Sequence, residues 1–270
     1  MSLQDLTEYV PTQSYKIHEL IVHGDVLSHS GPVHSAWNTF RRSVWRKGLA
    51  SFESQEPVAR DAGAISETTP TSCLVMKVPP AILDVWDLGS SQILVRSEFQ
   101  QAERAAVSAN TENKYVFLVA GQPGIGPPSP SSSLIETNLS SGKSVFLMWL
   151  LVRRLALGLP TVLQVREDYA VLFHEGGTSI FLELNNIVPY LGLQPPSGTP
   201  RKIWALVDSN RFLPEPAIIF KGYRTFFTIE AVSPHQPHDV KWTWRMPSSC
   251  FYMKMWDFSE VIQAFVTRLF

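Results

Sequence analysis

The sequence has few cysteines. Cys73 and Cys250 are the only two, far apart and in no metal or redox spacing. A disulfide framework or a Cys-based zinc site is excluded, and reduced thiols in a cytosolic compartment are the expectation. Nor is there a long hydrophobic run. The longest, Val145 to Val152, is closed by Arg153 and Arg154, well short of the roughly 20 residues that span a bilayer. Neither sign of charge dominates. A net charge of −1 gives no global attraction to nucleic acid or an anionic membrane. The opening stretch MSLQDLTEYVPTQSYK has no apolar segment of the secretory kind, so an intracellular protein, cytoplasmic or nuclear, is expected. What is present is apolar mass. Over 270 residues the hydrophobic content is 44% and the charged content 17%, enough for one large domain or a domain with an extension.

Hydrophobic patterning is weak over residues 1–75. SAWNTFRRSVWRKGLASF (35–52) interleaves basic residues with Trp37, Phe40 and Trp45. It is open to two readings, a nucleic-acid or membrane patch, or a solvated basic face whose aromatics enter the core. Residues 54–72 read as a polar loop. From there the pattern strengthens. Residues 72–78 suit a strand, and 90–110 suit a helix with Ile93, Val95, Phe99, Ala102 and Ala106 near one face. KYVFLVA (114–120) is a buried parallel strand by its near-continuous apolar run. KSVFLMWLLVRRLALG (143–158) is a buried helix closed by Gly158 and Pro160. TVLQV (161–165), two strands joined through Glu175-Gly176-Gly177, KIWALVDS (202–209) and TFFTIEAVSP (225–234) add strands. A last helix starts near Asp257 or Ser259. Strands alternating with helices predict an α/β fold with a mostly parallel sheet flanked by helices.

One junction carries chemistry. GQPGIG follows the strand KYVFLVA, and Gly142-Lys143-Ser144 opens the helix. Between them lies PPSPSSSLIETNLSSG, residues 127–142. Without that segment the junction reads KYVFLVAGQPGIGKSVFLMWLLVRRL, a complete G-x-x-x-x-G-K-[ST] phosphate loop between a strand and a helix. Glycines permit the tight turn that aims several N–H groups at phosphates. The lysine reaches the β- and γ-phosphates, and the serine at the helix start holds Mg2+. Gly121, Gln122, Pro123, Gly124, Ile125 and Gly126 (or equally Gly142), with Lys143, are the expected ATP-binding set, and Ser144 the first magnesium ligand. The intervening segment is Ser/Pro-rich, unlike its flanks, and its sixteen residues equal 48 nucleotides of coding sequence. A retained intron or gene-model error is expected, with a genuine surface insertion as the alternative. Pro127, Pro128 and Pro130 lack N–H groups and resist tight turning.

A Mg-nucleotide site also needs a carboxylate at the end of a neighbouring buried strand. Asp208, closing KIWALVDS, is that candidate. Ser209 follows it, where rapidly hydrolysing ATPases place a glutamate. Glu230 and Ser233 are the catalytic candidates: Glu230 or Glu183 as a general base able to reach the site in three dimensions, and Ser233 or Thr228, in TFFTIEAVSP, as the polar group at what resembles the sensor-strand position of such ATPases, contacting the γ-phosphate. His235 and His238 flank Pro237 in a loop-like stretch and are not expected to bind metal.

LVAGQPGIG…GKSVFLMWLLVRRLALGLPTVLQ, IWALVDSN, TFFTIEAVSPH and YMKMWDFSEVIQA together resemble a P-loop NTPase, and more narrowly the fungal Crinkler-like or retrotransposon-hot-spot-like NTPases, over roughly residues 80–270. The resemblance implies an additional-strand ATPase core that binds ATP and Mg2+, and in some members an effector role. It implies Gly121, Gly124, Gly126, Lys143 and Ser144 as the phosphate loop and Asp208 as the magnesium aspartate. Residues 1–75 are then an N-terminal extension and 76–270 the NTPase-like domain, interrupted at 127–142 and cut before a C-terminal lid. The expected function is nucleotide binding with or without hydrolysis. The alternative is a degenerate interaction or effector module, or a defective gene product. A protein partner is left open.

Overall fold

The computed structural model describes residues 27–28, 32–57, 72–80, 91–121, 142–182, 184, 203–209, 213–221, 226–232, 242–243, 246–254 and 260. Among them, β-rich apolar runs form strands. These are β1 (Leu27–Ser28), β2 (Glu53–Pro57), β3 (Ser72–Lys77), β4 (Gln92–Leu94), β5 (Val116–Gly121), β6 (Thr161–Gln164), β7 (Tyr169–His174), β8 (Gly177–Leu182), β9 (Ile203–Asp208), β10 (Phe226–Val232) and β11 (Ser248–Met253). The helices are α1 (Pro32–Val44), α2 (Ser97–Thr111) and α3 (Lys143–Ala156).

Eight strands form one sheet in the order β1-β8-β7-β6-β9-β10-β5-β11. Five of them, from β6 through β9, β10 and β5 to β11, run parallel. The chain is an α/β protein with a mostly parallel sheet. Every residue of β5, β9 and β10 is buried, as expected for strands covered on both faces. β6, β7 and β8 are joined antiparallel. β7 and β8 meet at the Glu175-Gly176 turn, where Gly177 has a φ of 145° that L side chains rarely adopt. Counted along the chain, the parallel strands lie in space as fifth, first, fourth, third and second. The order reverses around β5, and in open α/β sheets such a reversal marks where ligands bind at the strands' carboxyl ends.

α3 lies on one face of this sheet. Phe146, Leu147, Trp149, Leu150, Leu151 and Leu155 are fully buried, in one cluster with Val119, Leu206, Ile229 and Ala231. The rings of Phe99, Phe146 and Trp149 pack 5.8–6.0 Å apart. Removing Phe146 to alanine in such a core costs about 3–5 kcal/mol. Arg153 ties α3 to two neighbours, bonding Glu103 of α2 at 2.9 Å and Glu53 of β2 at 2.7 Å. Arg154 is wholly buried and stacks 4.2 Å from the Trp204 ring. It also donates to Thr161 Oγ1.

Three expectations change. The helix over 90–110 starts only at Ser97, because residues 92–94 form β4, paired antiparallel with β3. Ile93 and Val95 suit either period, and pairing with β3 decides. Residues 53–57, largely inside the expected polar loop, form β2, paired with β3. β11 was not read as a strand at all. Its side chains alternate between exposed and covered, and it lies at the sheet's edge. The stretch 35–52 has its aromatics inward. Trp37 and Phe40 are fully buried against Phe173. Arg41 donates through Nε to His174 O at 2.8 Å and through Nη2 to Glu175 O. Arg46 pairs with Glu175 at 2.7 Å. The solvated-face reading describes this stretch, and two of its arginines clamp the β7–β8 turn. No helix among the described residues is long and apolar enough to cross a membrane. The helix expected from Asp257 or Ser259 onward lies, apart from Glu260, outside the described residues.

Candidate functional site

β5 ends at Gly121 and α3 begins at Lys143, and the fold brings these two residues together. A Cβ built on Gly121 would sit 2.8 Å from Lys143 Nζ. Only glycine leaves that room, so the lysine side chain folds back across the backbone at the end of β5. Gly142 starts the helix in the left-handed conformation, φ 53°, which glycine adopts without the penalty other residues meet. Its carbonyl accepts the Phe146 N–H at 2.7 Å. Among the described residues no side chain caps the helix start, and its first N–H groups and dipole suit an anion.

Asp208 closes β9, one strand beyond β10. Its Oδ1 accepts the Ser144 hydroxyl at 3.0 Å. Alternation along β9 puts Asp208 on the α3 face with Trp204 and Leu206. Lys143 is 7% exposed. Burial pulls its ammonium below the ordinary lysine range, and the nearby Asp208 charge opposes that. The structure thus gathers Gly121, Gly142, Lys143, Ser144 and Asp208 at one carboxyl edge. A hydroxyl and a carboxylate side by side are the oxygen donors a magnesium ion takes, beside a helix start suited to phosphate.

Glu230 sits elsewhere. It is in register with Leu118, three residues before Gly121. Alternation turns it away from the α3 face, since Ile229 and Ala231 pack with α3. Its Oε1 accepts the Ser209 hydroxyl at 2.6 Å. Its Oε2 is buried with no hydrogen-bond partner among the described residues. Burial pushes its pKa up to about 7, against the opposing influence of Ser209 and Lys221. Thr228 is deeper still, in register with Val116 at the start of β5, and donates to Phe220 O at 2.8 Å. Its hydroxyl is engaged far from the carboxyl edge, so the expectation that it reaches the site is corrected. Gln122, Pro123, Gly124, Ile125, Gly126, Ser233, Glu183, His235 and His238 lie outside the described residues. No cluster of three or more His, Cys, Asp or Glu side chains able to hold a metal occurs among the described residues.

Motif reading missed Arg96, the N-cap residue of α2. Its guanidinium Nη1 lies 3.6 Å from where a Gly142 Cβ would stand. Only a buried arginine beside a helix start hints at it, and nothing in the local sequence does. Comparison of the chain with protein-family models, with curated proteins and with solved structures finds no match to any of them.

Proposed function

We propose that this chain is a P-loop protein of the additional-strand type that binds a Mg-nucleoside triphosphate, ATP being the expected nucleotide, at the carboxyl end of β5. The observation that carries the reading is the Ser144–Asp208 hydrogen bond, 3.0 Å across 64 residues of chain, formed where Lys143 lies over Gly121. Lys143 would neutralise phosphate charge. The N–H groups at the start of α3 would hold a phosphate, and Ser144 and Asp208 would hold Mg2+, the metal supplying charge neutralisation. β10 standing between β5 and β9 supports the additional-strand reading, in which one strand separates the phosphate-loop strand from the strand that ends in the magnesium aspartate, as the Crinkler-like and retrotransposon-hot-spot-like resemblance would imply.

Binding, rather than rapid hydrolysis, is the activity this arrangement favours. Ser209 occupies the place of the water-orienting glutamate, and its hydroxyl is committed to Glu230. That observation favours a second reading, an NTPase-derived interaction or effector module that binds nucleotide without turning it over quickly. The segment 127–142 decides whether the whole chain binds. The test is titration of a fluorescent ATP analogue, with and without Mg2+, into the whole chain and into a form lacking 127–142. Saturable, Mg-dependent binding by either supports the reading; none by both overturns it.

A further inference from the structure

We propose that Arg96 is a positioning residue for the phosphate loop, and that its ion pair with Glu260 sets how strongly the start of α3 attracts a nucleotide's phosphates. This rests on the nucleotide reading above.

The Arg96 side chain is 1% exposed, so its charge must find partners inside the protein. It finds them from three directions. Nε and Nη2 form a two-pronged pair with Glu260 at 3.0 and 2.9 Å. Nη1 and Nη2 both donate to Lys254 O at 3.1 Å. Glu98 Oε2 lies 3.7 Å from Nη2. The same guanidinium rests against Gly142, with the Phe99 ring at the same 3.6 Å from the glycine's Cβ position. Its own backbone is fixed too, because Arg96 O accepts the Phe99 N–H at 3.1 Å.

The placement matters more than the bonds. Lys254 directly follows Met253, which is in register with Gly121. Arg96 therefore fastens the end of β11, the strand beside the end of β5, and at the same time backs the glycine from which α3 departs. One planar group thus braces both the end of β11 and the start of α3. Lysine, a point donor, cannot span Glu260 and Lys254 O in that way.

The pair also has an electrostatic consequence. Arg96 is a positive charge beside Gly142, and Glu260 cancels much of it. Removing the Glu260 charge while keeping the side chain's shape leaves Arg96 less compensated next to the phosphate site, with Glu98 at 3.7 Å as the remaining carboxylate of the three partners described. Replacing Arg96 with lysine keeps the charge and loses the brace. The two substitutions then move affinity in opposite directions, which a purely structural ion pair does not do.

The test measures Kd for MgATP, MgADP and AMP at low and high salt. The proteins are the whole chain and the form lacking 127–142, in which Gly126 takes the place of Gly142 before Lys143, each with Glu260→Gln or Arg96→Lys. Glu260→Gln is expected to tighten MgATP by about three- to tenfold at low salt, fading with salt and smaller for AMP. Arg96→Lys is expected to weaken MgATP about tenfold. Circular dichroism confirms that each variant is folded. Loss of affinity in both variants, or unchanged affinity in both, overturns the proposal while leaving nucleotide binding intact. Absence of MgATP binding in every protein overturns the nucleotide reading and this proposal together.

Discussion

Ser144 and Asp208 are 64 residues apart in the chain and share a hydrogen bond of 3.0 Å. One opens α3 and the other closes β9, so the contact exists only because the sheet places β9 two strands from β5 with β10 between them. Without a metal the serine hydroxyl donates to the carboxylate. The same two oxygens are the donors that a magnesium ion would take. Substituting Ser144→Ala or Asp208→Asn is expected to lower MgATP affinity by at least about tenfold and to leave metal-free ATP binding much less changed. Titrations with and without Mg2+ read the difference.

Gly121→Ala puts a methyl 2.8 Å from Lys143 Nζ. The obstructed atom is the far end of a flexible side chain, so the fold should survive with a stability change within about 1 kcal/mol. The lysine must leave its place, and nucleotide affinity should fall by about tenfold or more. Thermal unfolding alongside ATP titration separates the two effects.

Glu230 makes stability depend on pH. Its pKa in the folded protein is about 7, above the ordinary carboxylate range. The folded state therefore holds this proton more tightly than the unfolded chain does. Its contribution is full below about pH 4.5 and is lost as pH rises through about 7, a swing of up to about 3 kcal/mol. Glu230→Gln removes that swing. Denaturant unfolding at pH 5 and pH 8 should show the variant gaining on the parent at the higher pH. Because Glu230 faces away from α3, MgATP affinity should stay within twofold.

Arg41 holds the β7–β8 turn through two backbone carbonyls. Arg41→Ala is expected to cost about 1–3 kcal/mol in unfolding free energy, with nucleotide affinity unaltered. Urea unfolding measures the first and ATP titration the second.

Much of the parallel sheet was legible because its strands are short apolar runs bounded by glycine, aspartate or proline, and α3 because it is apolar on most sides. The proximity of Gly121, Lys143, Ser144 and Asp208 at one carboxyl edge was legible, because the proposed nucleotide site would ask for a fixed residue type at each of these positions. β2, β4 and β11 were not, because short or edge strands take their identity from pairing partners distant in the chain. Glu230 shows the limit of spacing. The interval places a carboxylate near the site, but strand register and alternation decide its level and face, and neither can be read from one sequence. Arg96 was hidden for the same reason, its partners Lys254 and Glu260 standing 158 and 164 residues away.

The most direct measurement is a calorimetric titration of MgATP into the form lacking 127–142 and into its Lys143→Ala variant. The account predicts saturable one-to-one binding by the first, and a loss of about 100-fold or more in the second. Equal binding by both, or none by either and none by the whole chain, contradicts it.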